Sequence, residues 1–143
     1  MEYKEIEYDS GNVYKGNFVD GKRNGKGTMY YEDGRKYVGN WRNGEKDGNG
    51  KMYDSDGKLI YKGEFRNGLK DGQGTAYYDN GDKYIGEFRN NVRDGYGIYS
   101  GSDYQYKGSY HNNKREGDGI LRRDNGDIEC GLWSNGKLIQ DYY

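Results

Sequence analysis

Residues 61–81 read YKGEFRNGLKDGQGTAYYDNG, and this stretch contains the pattern that decides the fold. Side chains of a strand alternate between its two faces, so the tyrosine, glycine and phenylalanine of residues 61–65 share one face. The same alternation places the glycines and alanine of residues 72–76 together on the next strand. Asn-Gly at residues 67–68 is a strong hairpin signal, and Asn-Gly at 80–81 turns the chain again. The stretch predicts one β-hairpin followed by a tight turn.

The Gly-x-Gly of this stretch needs its own explanation, because glycine weakens a strand by roughly 0.5–1 kcal/mol relative to alanine. A large aromatic ring on the neighbouring strand can lie flat over a residue that has no side chain. A phosphate-binding glycine loop is the alternative, but such loops connect a strand to a helix, and no helical periodicity accompanies these glycines. We therefore expect Gly72 and Gly74 to make room for aromatic rings.

The pattern Tyr-x-Gly-x-aromatic, followed by Gly-x-Gly, recurs at steps of 22 to 24 residues. Such a period indicates a repeat protein, in which each unit contacts mainly its neighbours. We predict an all-β fold, an elongated single-layer antiparallel sheet of consecutive β-hairpins forming one domain over residues 1–143. The extra residue around Leu59-Ile60 is expected to form a β-bulge. The boundaries are a capping half-repeat at 1–13, repeats at 14–36, 37–60, 61–83, 84–105 and 106–128, and a partial repeat with a C-terminal cap at 129–143.

The composition favours an ordered chain with an aromatic core. The net charge is only −1, whereas disordered chains combine low hydrophobicity with strong net charge. Eighteen tyrosines and two tryptophans, placed periodically, provide the apolar area that aliphatic residues do not. Twenty-six glycines and no proline suit a chain that turns often and pairs its backbone throughout.

These motifs resemble the MORN repeat (membrane occupation and recognition nexus), whose pattern is Tyr-x-Gly-x-Trp/Phe-x-x-Gly-x-x-x-Gly-x-Gly. The resemblance extends from Tyr14 to about Gly136. It implies a twisted sheet of consecutive hairpins with a groove along one face. It also implies a functional range that includes scaffolds in ciliary, cytoskeletal and membrane-junction complexes, and non-catalytic segments of enzymes.

The leading functional hypothesis is a non-catalytic scaffold or adaptor that binds a helix or an extended peptide of a partner protein. Aromatic side chains suit interfaces because they combine a large contact area with a polar tip, and the unpaired strands at the sheet ends are templates for another chain or a homodimer. The residues expected to line the partner groove, with the tyrosines exposed in it, are Tyr14, Tyr37, Tyr61, Tyr84, Tyr106, Phe18, Trp41, Phe65, Phe88, Tyr110 and Trp133.

Two alternatives stay open, namely peripheral binding to anionic phospholipid and a regulatory segment of a larger enzyme. Basic residues near the Asn-Gly turns favour the first, although interleaved acids offset much of the attraction. The candidate lipid contacts are Arg42, Arg66, Arg89, Lys46, Lys70 and Arg93. A pI near 5.9 argues against nucleic acid.

No catalytic, metal or cofactor site is predicted. His111 lacks a partner at a diagnostic spacing, and Cys130 is the only cysteine. Residues 54–57, Asp-Ser-Asp-Gly, lack the remaining ligands of a calcium loop and are explained by turn chemistry. The first residues contain no secretory signal, so we expect a cytoplasmic location, with cytoskeletal or membrane association.

Overall fold

The computed structural model describes Met1–Tyr143 and consists of β-strands joined by turns. The strands are β1 (Glu2–Glu7), β2 (Val13–Val19), β3 (Lys22–Tyr30), β4 (Lys36–Arg42), β5 (Glu45–Tyr53), β6 (Leu59–Arg66), β7 (Leu69–Tyr77), β8 (Lys83–Arg89), β9 (Val92–Ser100), β10 (Tyr104–His111), β11 (Lys114–Arg123), β12 (Ile128–Ser134) and β13 (Lys137–Asp141). The prediction of an all-β antiparallel fold of consecutive hairpins is confirmed.

The chain forms two compact units, Met1–Lys70 and Asp71–Tyr143, with the boundary inside β7. Within each unit the spatial order of the strands follows the sequence, and neighbouring strands are antiparallel. The assignment of residues 1–143 to a single domain stays a prediction.

Tight two-residue turns close the hairpins, and both of their residues have positive φ, between 48° and 87°. This conformation is the type I′ turn, which matches the twist of the flanking strands. Asparagine or aspartate holds the first position and glycine or asparagine the second. The turns are Asp20-Gly21, Asn43-Gly44, Asn67-Gly68, Asn90-Asn91, Asn112-Asn113 and Asn135-Gly136.

The two glycines of each Gly-x-Gly have different roles. In the first hairpin Gly16 pairs with Gly27, but Phe18 pairs with Arg23, so β3 bulges between these pairs. Gly25 lies in this bulge at a φ of +78°, which favours glycine. Gly27 lies under the ring of Tyr14, and a Cβ there would be 2.0 Å from the tyrosine hydroxyl oxygen. The predicted seating of an aromatic ring over a glycine is confirmed for the second glycine of the motif. It is wrong for the first, including Gly72, whose φ of 100° reflects the bulge.

The extra residue of the second repeat forms a bulge, as predicted. Met52 pairs with Tyr61 and Tyr53 with Leu59, so Ile60 has no residue opposite it. The bulge accommodates the inserted residue. Tyr61 therefore still lies opposite a residue of the preceding strand, as the other repeat tyrosines do.

The aromatic residues form one alternating row in each unit. Ring centroids of successive members are 5.1–5.5 Å apart and the ring planes are 79–90° apart, which is edge-to-face packing. In order, the rows are Phe18, Tyr14, Trp41, Tyr37, Phe65 and Tyr61 in the first unit, and Phe88, Tyr84, Tyr110, Tyr106 and Trp133 in the second.

Each hairpin is also tied to the next one through its tight turn. The Asp47 carboxylate accepts a hydrogen bond from the backbone N–H of Asn67, and the carbonyl of Lys46 accepts one from Gly68. The Glu116 carboxylate and the Arg115 carbonyl do the same for Asn135 and Gly136. These bonds align the turns along one edge of each unit.

Candidate interaction groove

The repeat tyrosines are buried, so the prediction that they are exposed in a groove is wrong. Their exposed fraction is 0%, and that of the other ring residues of the predicted set is at most 5%. The hydroxyl of Tyr37 donates to the carbonyl of Asn40 at 2.9 Å, three residues along its own strand, and the other four make the same bond. The buried set is Tyr14, Phe18, Tyr37, Trp41, Tyr61, Phe65, Tyr84, Phe88, Tyr106, Tyr110 and Trp133.

A basic residue covers the aromatic row at one position of every repeat. The Arg23 guanidinium carbon lies 4.9 Å from the Trp41 ring centroid, and the Lys46 ammonium lies 5.3 Å from that of Phe65. These distances are those of cation–π contacts. The position lies two residues before the Gly-x-Gly, on the same face, and is occupied by Arg23, Lys46, Lys70, Arg93 and Arg115.

Arg23 also connects a loop to a tight turn. One of its terminal nitrogens donates to the hydroxyl of Tyr8 at 3.0 Å, and the other donates to the carbonyl of Gly44. The Tyr8 ring centroid lies 5.5 Å from the guanidinium carbon, a cation–π distance. The Arg23 Nε is buried and has no hydrogen-bond partner.

These side chains form an open groove of about 590 Å³ on the aromatic face of the first unit. Arg23, Lys46 and Trp41 contribute to its floor. The loop residues Tyr8 and Tyr31 are half-buried and form one wall. The tight turns at Gly44 and Gly68 lie opposite, and the exposed carboxylates of Asp9 and Glu45 are on the rim.

The electrostatics of the groove floor are positive around Lys46. Burial lowers the pKa of the Lys46 ammonium, and the positive charges of Arg35 and Lys70 act in the same direction. Burial also raises the pKa of the Tyr31 phenol. The groove therefore presents a partly desolvated cation beside one aromatic wall.

The second unit carries the same basic positions, but tyrosines fill the space beside them. Tyr99 occupies the position that Met29 holds in the first unit, since each lies opposite a repeat tyrosine. It stacks on Tyr78 at 5.7 Å and on Tyr104 at 6.1 Å between centroids. Its hydroxyl donates to Asp82 at 2.7 Å. Arg93 lies 5.3 Å from the Tyr99 ring and repeats the bonds of Arg23, to the Tyr78 hydroxyl and a turn carbonyl.

The predicted lipid-contact residues do not share one surface. Lys46, Lys70 and Arg93 lie on the aromatic face, over the rings. Arg42, Arg66 and Arg89 each follow a buried ring residue, so their exposed side chains lie on the opposite face. Lipid binding, through either set of residues, stays a prediction.

The residues weighed for chemistry do not line the groove. His111 is exposed, and its Nδ1 lies 3.0 Å from a carboxylate oxygen of Asp94. Cys130 is a half-buried strand residue with a free thiol. The structure holds no group of three or more potential metal ligands, and no helix in it could span a lipid bilayer.

Sequence reasoning missed the walls of the groove and the role of its cations. Tyr8 and Tyr31 lie in loops, where no strand periodicity marks them. The basic position could have been predicted from the sequence. Arg23 is two and four residues away from Gly25 and Gly27, so its side chain is expected on the same face of the strand.

A family model for the MORN repeat matches residues 14–34, 37–58, 61–83, 84–105 and 106–128. These segments coincide with the hairpins that begin at β2, β4, β6, β8 and β10. A comparison with curated proteins returns no match.

Proposed function

Because these five segments cover most of its length, the chain belongs to the MORN-repeat family, and we propose that it is a non-catalytic module that binds a protein partner in its groove. MORN repeats are associated with protein–protein or membrane–lipid interactions. The finer assignment to a protein partner rests on the groove of the first unit. One of its walls is aromatic, and its floor carries Arg23 and Lys46, which have no acidic partner.

The observation that carries the proposal is the groove of about 590 Å³ between the loop tyrosines and the tight turns. Its volume lies within the usual range for binding sites. Tyr8 and Tyr31 keep part of each ring accessible, whereas the repeat tyrosines beneath are fully covered. Tyrosine at such positions provides contact area at a low entropic cost.

Site-specific photocrosslinking tests this proposal. A photoreactive phenylalanine analogue at Tyr31 points into the groove, and the same analogue at Lys51 lies on β5 but on the opposite face. In native extract we expect a discrete protein crosslink from position 31 only. Equal crosslinks from both positions, or crosslinks from position 51 alone, would move the interaction to another surface.

Cytoplasmic location and association with a cytoskeletal, ciliary or membrane complex remain part of the proposal. The same groove would serve if the chain acted as a regulatory segment of a larger enzyme. Binding through the edge strands β1 and β13 is a separate prediction. Crosslinks between copies of the chain at these strands would support it.

A further inference from the structure

Two basic side chains in the first unit's groove have no acidic partner. Neither Arg23 nor Lys46 takes part in the ion pairs Glu2–Lys4, Asp33–Arg35, Asp94–His111 and Arg123–Glu129. Yet both side chains are partly removed from water, which costs free energy unless a counter-charge is present. The groove floor therefore favours an anionic ligand.

The spacing of the two cations limits the form of that ligand. Arg23 is on β3 and Lys46 on β5, so they are two strands apart, or about 9.6 Å at ~4.8 Å per strand. Polyproline II has three residues per turn and a rise of ~3.1 Å, so every third side chain recurs on one side after about 9.3 Å. In a β-strand, side chains three residues apart point to opposite faces. The polyproline II spacing matches the groove.

The walls and the rim add specificity. Grooves lined by aromatic rings bind polyproline II segments, because the ligand is already extended and loses little entropy. Tyr8, Tyr31 and Trp41 provide such a lining here. The exposed carboxylates of Asp9 and Glu45 repel a continuous acidic run, so they favour isolated carboxylates over the two cations.

From these observations we propose that the first unit binds an extended, polyproline II segment of a partner with a carboxylate at every third residue, one over Arg23 and the next over Lys46. This inference rests on the proposed function, because it specifies the partner of the same groove. The carboxylates supply the missing counter-charges, and the residues between them pack on Tyr8 and Tyr31.

Fluorescence anisotropy with synthetic peptides tests the inference on the full chain. The probe is a labelled peptide of repeated Glu-Pro-Pro. One control peptide has the same composition with its glutamates contiguous, and the other replaces glutamate with lysine. We expect saturable binding of the first peptide, at least about tenfold tighter than binding of either control.

Two matched variants locate the binding site. Lys46→Gln keeps most of the side-chain stem over the rings but removes the charge, and should weaken binding about tenfold. Lys51→Gln removes a charge from the exposed opposite face of the same strand and should leave binding unchanged. Arg23 is not used, because it also holds Tyr8 and Gly44 in place. Circular dichroism and melting temperature establish that both variants are folded.

The outcomes separate this inference from the proposed function. No preference for Glu-Pro-Pro over the contiguous control, or equal losses in the two variants, would overturn the inference. If a crosslink from position 31 then persists, the groove still binds a protein, but of other chemistry. Binding to phosphatidylserine vesicles that depends on Lys46, without binding of the peptide, would assign the groove to anionic lipid and overturn both proposals.

Discussion

Replacing Gly27 with alanine should destabilise the protein, because the new methyl group would occupy the space of the Tyr14 ring. An ideal Cβ at Gly27 lies 2.0, 2.3 and 2.6 Å from three atoms of that side chain, far inside van der Waals contact. Gly27 has no positive φ, so the clash is the only strain that the substitution adds. The ring must move, and it cannot do so freely because its exposed fraction is 0%.

The contacts of Tyr14 set the size of the effect. Its ring packs edge to face on Phe18 at 5.1 Å and on Trp41 at 5.4 Å, and each such contact contributes about 0.5–1.5 kcal/mol. Its hydroxyl donates to the Asn17 carbonyl at 3.0 Å, a bond worth about 1 kcal/mol. Alanine recovers about 0.5–1 kcal/mol through its better backbone propensity. Together these terms give an expected net loss of about 1–3.5 kcal/mol, or about 4–14 °C in melting temperature.

A double-mutant cycle measured by thermal and urea denaturation tests the cause. In a Tyr14→Ala background the Gly27→Ala change should cost almost nothing, because the ring with which it clashes is gone. The control Lys26→Ala, at an exposed neighbouring position of β3, should stay within about 0.5 kcal/mol of the parent. An unchanged melting temperature for Gly27→Ala, or the same cost with and without Tyr14, would refute the reasoning.

Three further predictions concern hydroxyls, pH and turns. Tyr37→Phe removes the donor to the Asn40 carbonyl and should cost about 1 kcal/mol in urea denaturation, whereas Tyr30→Phe at an exposed position should cost nothing measurable. Burial raises the pKa of Tyr14 to about 12 from 10.0. The stability that the protonated Tyr14 phenol contributes is therefore complete below pH 10 and is lost as the pH rises towards 12. Melting temperatures should fall across that range, and less steeply for Tyr14→Phe. Asn43 has a φ of 49°, so Asn43→Ala should lower the free energy of unfolding by about 1–2 kcal/mol and Asn43→Gly by less. Equal losses for the two variants would show that the turn conformation is not the cause.

Much of the backbone could be predicted from the sequence, because it follows from local rules. Alternation of faces gives the strands, and Asn-Gly dipeptides give type I′ turns. The extra residue at Ile60 can be read as a bulge because the repeat on either side fixes the count. Spacing alone, however, treats the two glycines of Gly25-Lys26-Gly27 as equivalent. Their different roles depend on the bulge, which shifts the pairing of β2 and β3 by two residues.

The groove was less predictable, because burial depends on contacts between repeats and loops. Sequence alone leaves open whether the Tyr14 hydroxyl reaches solvent, a partner or its own backbone, and the structure selects the last of these. The cation that covers the rings comes from the return strand, and the ring that covers the Arg23 cation comes from the loop at Tyr8. A contact among a ring, a cation and a loop tyrosine involves three separate segments, so no fixed spacing in the sequence predicts it.

The hydrogen bond from each repeat tyrosine to a carbonyl of its own strand has a consequence for how such a chain can change in length. A buried hydroxyl normally ties a residue to one particular distant partner, so duplicating or deleting the segment around it leaves a polar group unsatisfied. Here Tyr37 and Asn40 lie in the same strand and would be copied together. Recombination between equivalent points of two repeats can therefore add or remove a hairpin within a unit and leave no buried tyrosine hydroxyl without a hydrogen-bond acceptor. What the new hairpin must satisfy is steric, namely a glycine beneath the ring and a turn that meets its neighbour.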